Sequence, residues 1–422
     1  MKDIVQASLP QGTLSGIRDQ GVCRFSAIPY AEAPVGPLRF APPRPAQWRG
    51  ERDATQPGPV CPQLTSRLAR VMGDFEAPQS EDCLHLTVWT PGVDAQRRPV
   101  VVWLHGGAWQ SGAGALDWYD GARLARRGDI VVVAVNYRLA GLGWLCLPGE
   151  TANVGLLDEE AAIAWVHAHV EAFGGDPQRI TVMGQSAGAS NIALMLTRKP
   201  LFQRAIMQSA GLGRGFRDAE QAAHLSRVFL RAAGADSLAA ARELPVQALL
   251  DAQLAPDVVA ALQAEGANRS LFYPAIDGDV VTRDIDAAMT AAAGRADVMI
   301  GYTRDEFAAF PGGGLDEDSR RKGDRTFALR SRQWARDAVD RGRQAWEYRF
   351  DAGYSREFGA CHCVDLPFVF DTFDAFQGAP MLEGLAPAQA RRISGDVQTA
   401  WIAFIRGGSP GWDVAPAQHL FA

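Results

Sequence analysis

The sequence predicts an α/β fold: a central, mostly parallel sheet with helices on both faces and a β-hairpin near its start. Three observations carry this expectation. Residues 99–104 and 130–135 are continuous apolar runs of strand length, as expected for strands covered on both sides. Longer stretches have helical periodicity, as from 155 to 173, where Ala162, Trp165, Val166, His169, Val170 and Phe173 recur at helical intervals. Finally, Gly184-Gln185-Ser186-Ala187-Gly188 joins a short apolar strand directly to a helix. Strands and helices alternate along the chain without a repeat or a low-complexity linker, so residues 1–422 read as one domain.

The elements follow in order. Residues 13–18 and 22–27 form the hairpin strands around an Asp19-Gln20-Gly21 turn. The proline-rich stretch 28–40 cannot hold regular structure. Residues 84–89, 99–104 and 130–135 are strands, and the 155–173 helix stops at Gly174-Gly175-Asp176-Pro177. The 179–183 strand leads through the glycine turn into a helix at 190–196, then a strand at 204–209. Residues 215–265, rich in Ala and Leu, read as helices. Strands at 298–301 and 346–350 and a helix at 393–404 close the chain, while 311–325, rich in Gly and charge, reads as a loop.

Bulk properties narrow the function. With 422 residues, 47% of them hydrophobic and 21% charged, the chain can bury a large core. A net charge of −6 and no Lys/Arg cluster argue against a nucleic-acid partner. No apolar run is long enough to span a membrane, and residues 1–6 lack the apolar stretch of a signal peptide. The expectation is a cytoplasmic enzyme acting on a small molecule, with no membrane partner.

The glycine turn gives that enzyme a chemistry. A strand that bends straight into a helix needs glycines where a side chain would collide. The residue at the tip, Ser186, is pushed out with its hydroxyl exposed, the arrangement called the nucleophile elbow in α/β-hydrolases. A serine hydroxyl needs a base, usually a histidine oriented by a carboxylate. The chain has 7 histidines. His167 and His169 fall in the helix before the elbow, His85 in a strand, His224 in an Ala-rich helical tract, His105 at a glycine loop and His419 near the chain end. His362 remains, in a loop-like stretch after the 346–350 strand. The acid must lie between the two, and Asp305 and Glu306 are both at a suitable strand end. Upstream, His105-Gly106-Gly107-Ala108-Trp109 follows a strand with small residues, so the backbone N–H groups of Gly107 and Ala108, with that of Ala187, can face a developing oxyanion.

Two cysteine patterns are weaker signals. Cys361-His362-Cys363 resembles a metal cluster, but adjacent residues on an extended chain point to alternate faces and wrap one ion poorly. Cys61 and Cys83 can close a loop worth roughly 3 kcal/mol if oxidised, though a cytoplasm would keep them reduced.

Taken with the turn and the His-Gly-Gly loop, further stretches resemble the type-B carboxylesterases, the bacterial branch that includes para-nitrobenzyl esterases and is related to the cholinesterases. These are Ile28-Pro29-Tyr30-Ala31 through Leu38-Arg39-Phe40, Ser80-Glu81-Asp82-Cys83-Leu84, Asn136-Tyr137-Arg138-Leu139 and Asn153-Val154-Gly155-Leu156-Leu157-Asp158. Ala172-Phe173-Gly174-Gly175-Asp176-Pro177, Thr303-Arg304-Asp305-Glu306, and His362 with Leu366-Pro367-Phe368-Val369-Phe370 also match. The resemblance implies an α/β-hydrolase fold and ester hydrolysis without metal or cofactor. It implies Ser186 as nucleophile, His362 as base, Glu306 rather than Asp305 as the acid, and Gly107, Ala108 and Ala187 as the oxyanion hole. It also implies that Cys61 and Cys83 match a family disulfide and that Ser209 is structural. The same machinery would serve amide or carbamate cleavage, and non-catalytic relatives exist that lack triad residues.

The chain departs from this family in places. Gln185 stands where many relatives have Glu, and Phe307 replaces a usual Gly. Only 56 residues separate Glu306 from His362, and the stretch after Trp412 is short. No tryptophan lies between Cys61 and Cys83, which argues against a choline site. The short interval predicts a more open site, with the Gly312-Gly313-Gly314 loop standing in for missing walls.

Overall fold

The computed structural model describes residues 3–266 and 270–422. One sheet of 12 strands runs through it. They are β1 (Asp3–Leu9), β2 (Gly12–Asp19), β3 (Val22–Pro29), β4 (Gly50–Asp53), β5 (His85–Thr90), β6 (Arg98–Leu104), β7 (Val131–Val135), β8 (Gly175–Gln185), β9 (Arg204–Gln208), β10 (Asp297–Thr303), β11 (Ala345–Phe350) and β12 (Gln418–Phe421). Their order is β1-β2-β3-β5-β7-β6-β8-β9-β10-β11-β12, with β4 beside β2. The pairs from β1 to β7 on this path are antiparallel, and every pair from β7 to β12 is parallel. The hairpin forms as expected, with Asp19 opposite Val22 and both Gln20 and Gly21 at positive φ (47° and 80°). That turn geometry matches the twist of the flanking strands.

The continuous apolar runs divide by residue parity. Val100, Val102 and Leu104 enter one core with Val131, Val133 and Val135, while Val101 and Trp103 enter the other with Val132 and Ala134. A strand with period two can feed two cores only if both faces are covered. The helices that matter for the site are α1 (Val154–His169), α2 (Ala187–Thr197), α3 (Ala219–Ala233), α4 (Glu317–Gly323), α5 (Leu329–Asp340) and α6 (Pro387–Ile405). Three further helices, Leu238–Arg242, Val246–Ala252 and Pro256–Ala264, complete the Ala-rich tract.

The stretch 311–325 corrects the sequence reading. It is a loop only as far as Asp316, whose carboxylate caps α4 by accepting from the Ser319 amide at 2.9 Å. From there α4 passes through a single π-helical turn (Asp324–Ala328) into α5. Its charges are those of a helix surface: Glu317 and Asp318 lie in the first turn, Arg321 and Lys322 in the last, with Glu317–Arg321 and Asp318–Lys322 paired four residues apart. Cys61 and Cys83 are buried free thiols, as are the other four cysteines.

Candidate active site

At the C-terminal end of β8, Ser186 has φ 55° and ψ −113°, a conformation that costs energy for any residue with a Cβ. Two contacts hold it. The Ser186 amide donates to the Gln208 carbonyl of β9 at 2.9 Å, and Gly188 lets the chain turn against β6, where a Cβ would sit 2.2 Å from the Leu104 carbonyl oxygen. Ser186 is half-buried among buried neighbours, so its hydroxyl is what the turn presents.

The loop after β11 brings His362 to that hydroxyl, with Nε2 2.8 Å from Ser186 Oγ. On the other side His362 Nδ1 hydrogen-bonds Glu306 Oε2, and both side chains are buried. The second Glu306 oxygen accepts from the Thr303 amide at 2.9 Å, which fixes the carboxylate. Asp305, left open by the residue pattern alone, points elsewhere. It accepts from Arg304 and Arg320 and from the Ala360 amide. Phe310 and Phe327 pack on the imidazole, with ring centroids 5.1 and 4.8 Å away. Phe327 comes from the π-helical turn, just past the stretch expected to be a loop, so the helix that replaces that loop helps wall the histidine.

Gly107, Ala108 and Trp109 all have positive φ (120°, 55° and 61°), which turns this loop back toward the elbow. A Cβ on Gly107 would lie 1.8 Å from the Ser111 carbonyl oxygen, so only glycine fits. Gly107, Ala108 and Ala187 line the same cavity as Ser186 and His362, a pocket of about 490 Å³. Ala187 opens α2, where the first N–H groups have no partner within the helix. Among the described residues no group of three His, Cys, Asp or Glu side chains is placed to hold a metal.

Comparison with known proteins gives the family. The profile of the Carboxylesterase family matches residues 2–331. The chain belongs to the carboxylesterase family. It is 34% identical to the para-nitrobenzyl esterase of Bacillus subtilis, covering 97% of this chain and 91% of that protein. It is 37% identical to a probable N-octanoylanthranilate hydrolase of Rhodococcus erythropolis, covering 98% and 96%. A solved para-nitrobenzyl esterase superposes with a TM-score of 0.87 at 31% identity, covering 99% of this chain and 95% of that one. The protein is a serine carboxylesterase of the α/β-hydrolase fold, and none of its described helices is long and apolar enough to cross a membrane.

Around Ser186 the esterase carries residues that pattern reading missed. Gln185 Nε2 lies 3.1 Å from His362 Nε2 and 3.2 Å from Cys363 Sγ. Only its position beside the serine, where relatives have Glu, hinted at this. Trp109 donates to Asn191 Oδ1 at 2.8 Å, and Asn191 Nδ2 donates to Glu159 Oε1 at 3.0 Å. Burial holds the Glu159 carboxyl well above the usual range. These hydrogen bonds tie the strained loop of residues 107–109 to α1 and α2, and an acid inside the apolar stripe of α1 was their only sequence signal. Asp365, three residues past His362, is buried and accepts from Gln208 at 2.7 Å, while its other oxygen has no hydrogen-bond partner. Burial first, with Glu306 nearby, pushes its carboxyl up to about 6. His105 stacks on Tyr137 at 4.4 Å, and burial pushes it down to about 4, so it stays neutral.

Proposed function

We propose that the esterase works through Ser186, His362 and Glu306 and forms an acyl-enzyme. The 2.8 Å contact between Ser186 Oγ and His362 Nε2 carries this reading. As Ser186 Oγ bonds to the ester carbonyl carbon, its proton moves to His362 Nε2. Glu306 accepts the Nδ1 hydrogen, fixes the tautomer and stabilises the imidazolium. The N–H groups of Gly107, Ala108 and Ala187 receive the oxyanion, a contribution of about 3–4 kcal/mol per donor. Collapse breaks the ester C–O bond, and the alcohol leaves with the Nε2 proton. Water then repeats the sequence, giving its proton to Nε2, and the acid is released as Ser186 recovers it.

Small-molecule esters are the substrates in this reading, and the cytoplasm is the location. A second reading extends the same machinery to amides, supported by the relative named for hydrolysing N-octanoylanthranilate. A panel of nitrophenyl esters and matched nitroanilides tests both. Turnover of the esters by the native protein and none by Ser186→Ala is expected. Equal ester hydrolysis by the variant would contradict the role of Ser186, and turnover of the anilides would extend the activity to amides.

A further inference from the structure

The cavity wall beside Ser186 is mostly apolar, yet two arginines stand in it. Arg67 lies on the segment between Cys61 and Cys83, and its Nη1 donates to Ser270 Oγ at 3.4 Å. Arg214 follows β9, with its guanidinium 5.8 Å from the ring centroid of Phe310, the ring that packs on His362. Among the described lining residues there is no Asp or Glu. The lining is therefore cationic although the chain as a whole carries −6. A charge inside a half-enclosed apolar cavity is screened less than one on open surface, so the local sign matters more than the net charge there. A guanidinium presents a planar fork of donors that matches a carboxylate.

We propose that this site selects esters bearing a second, free carboxylate remote from the scissile carbonyl, held by Arg67 and Arg214. The proposal rests on the Ser186 reading for turnover but not for binding. The hydrocarbon part of the substrate lies against Leu64, Leu254 and Leu271 of the same wall. The carboxylate can belong to the acyl or to the alcohol half, and both place the same anion before the same two arginines.

The test compares matched pairs. 4-Nitrophenyl hydrogen adipate against 4-nitrophenyl hexanoate reads the acyl half, and 4-(butanoyloxy)benzoate against 4-(butanoyloxy)benzamide reads the alcohol half. The anionic member is preferred in kcat/KM by about tenfold in at least one pair, as charge-assisted hydrogen bonds allow. The Arg67→Gln/Arg214→Gln double variant brings that ratio close to one, and the Lys/Lys variant keeps part of it. Preference for the neutral member in both pairs, or an unchanged ratio in the Gln/Gln variant, overturns the proposal. The same pairs binding to Ser186→Ala, measured by calorimetry, read the preference without turnover. Loss of the serine chemistry alone leaves the binding preference in place, whereas equal binding of both members overturns the proposal itself.

Discussion

Glu306 and Asp305 are adjacent, buried and both acidic, yet they should fail in opposite ways when neutralised. In Glu306→Gln the amide keeps the size and can still accept from the Thr303 amide, so the fold should hold. It cannot stabilise the imidazolium on His362, and at such a position the loss is about 10⁴-fold in kcat, or about 5.5 kcal/mol of transition-state stabilisation. Asp305→Asn leaves the histidine alone but removes the charge between Arg304 and Arg320. Those arginine side chains are 37% and 51% exposed, so solvent replaces part of what is lost. A destabilisation of about 1–3 kcal/mol follows, with kcat within a few fold of native. The assay is steady-state hydrolysis of 4-nitrophenyl butyrate beside thermal unfolding of each variant. A larger kcat loss in Asp305→Asn, or a loss under tenfold in Glu306→Gln, would refute the reasoning.

Three further outcomes are expected. Asp365 has its carboxyl raised from 3.8 to about 6, so the native state binds the extra proton between those values and loses stability as pH rises through them, by about 3 kcal/mol. Asp365→Asn, which still accepts from Gln208, should abolish that slope in denaturant titrations between pH 4 and 7, and a persisting slope would assign it to another group. Gln185→Leu removes the amide that lies 3.1 Å from His362 Nε2 and should lower kcat several-fold while KM changes less; an unchanged kcat counts against the contact. Asn191→Ala leaves the Trp109 N–H and Glu159 without their shared partner, so kcat should fall about tenfold or more while KM changes less, and a change confined to KM would mean that the loop does not depend on this link.

Much of the architecture was legible because it rests on short-range rules. The two-faced strands appear as unbroken apolar runs, the hairpin turn as Asp19-Gln20-Gly21, and the elbow as glycines flanking Ser186. Elimination pointed to His362 because few histidines lie outside predicted strands and helices, and the structure sets its Nε2 2.8 Å from Ser186 Oγ. Spacing alone left Asp305 and Glu306 level, since residues one apart at a strand end differ only in which way the chain turns. The geometry separates them through Arg320 and Ala360, which arrive from distant segments to occupy Asp305. Residues 317–325 were misread because charge and glycine were taken for loop, when the charges were ordered along a helix surface. The Trp109–Asn191–Glu159 link left only the one signal of an acid among apolar residues, because its members sit on three elements that the sequence does not bring together.

The central claim is that one serine does the chemistry, and labelling with a fluorophosphonate ester tests it most directly. The native protein should gain a single adduct, mapped by mass spectrometry to Ser186, and lose ester hydrolysis in step with labelling. Ser186→Ala should take no adduct and hydrolyse no ester while unfolding like the native protein. An adduct on another residue that abolishes activity, or a folded Ser186→Ala protein that still hydrolyses esters, would contradict the account.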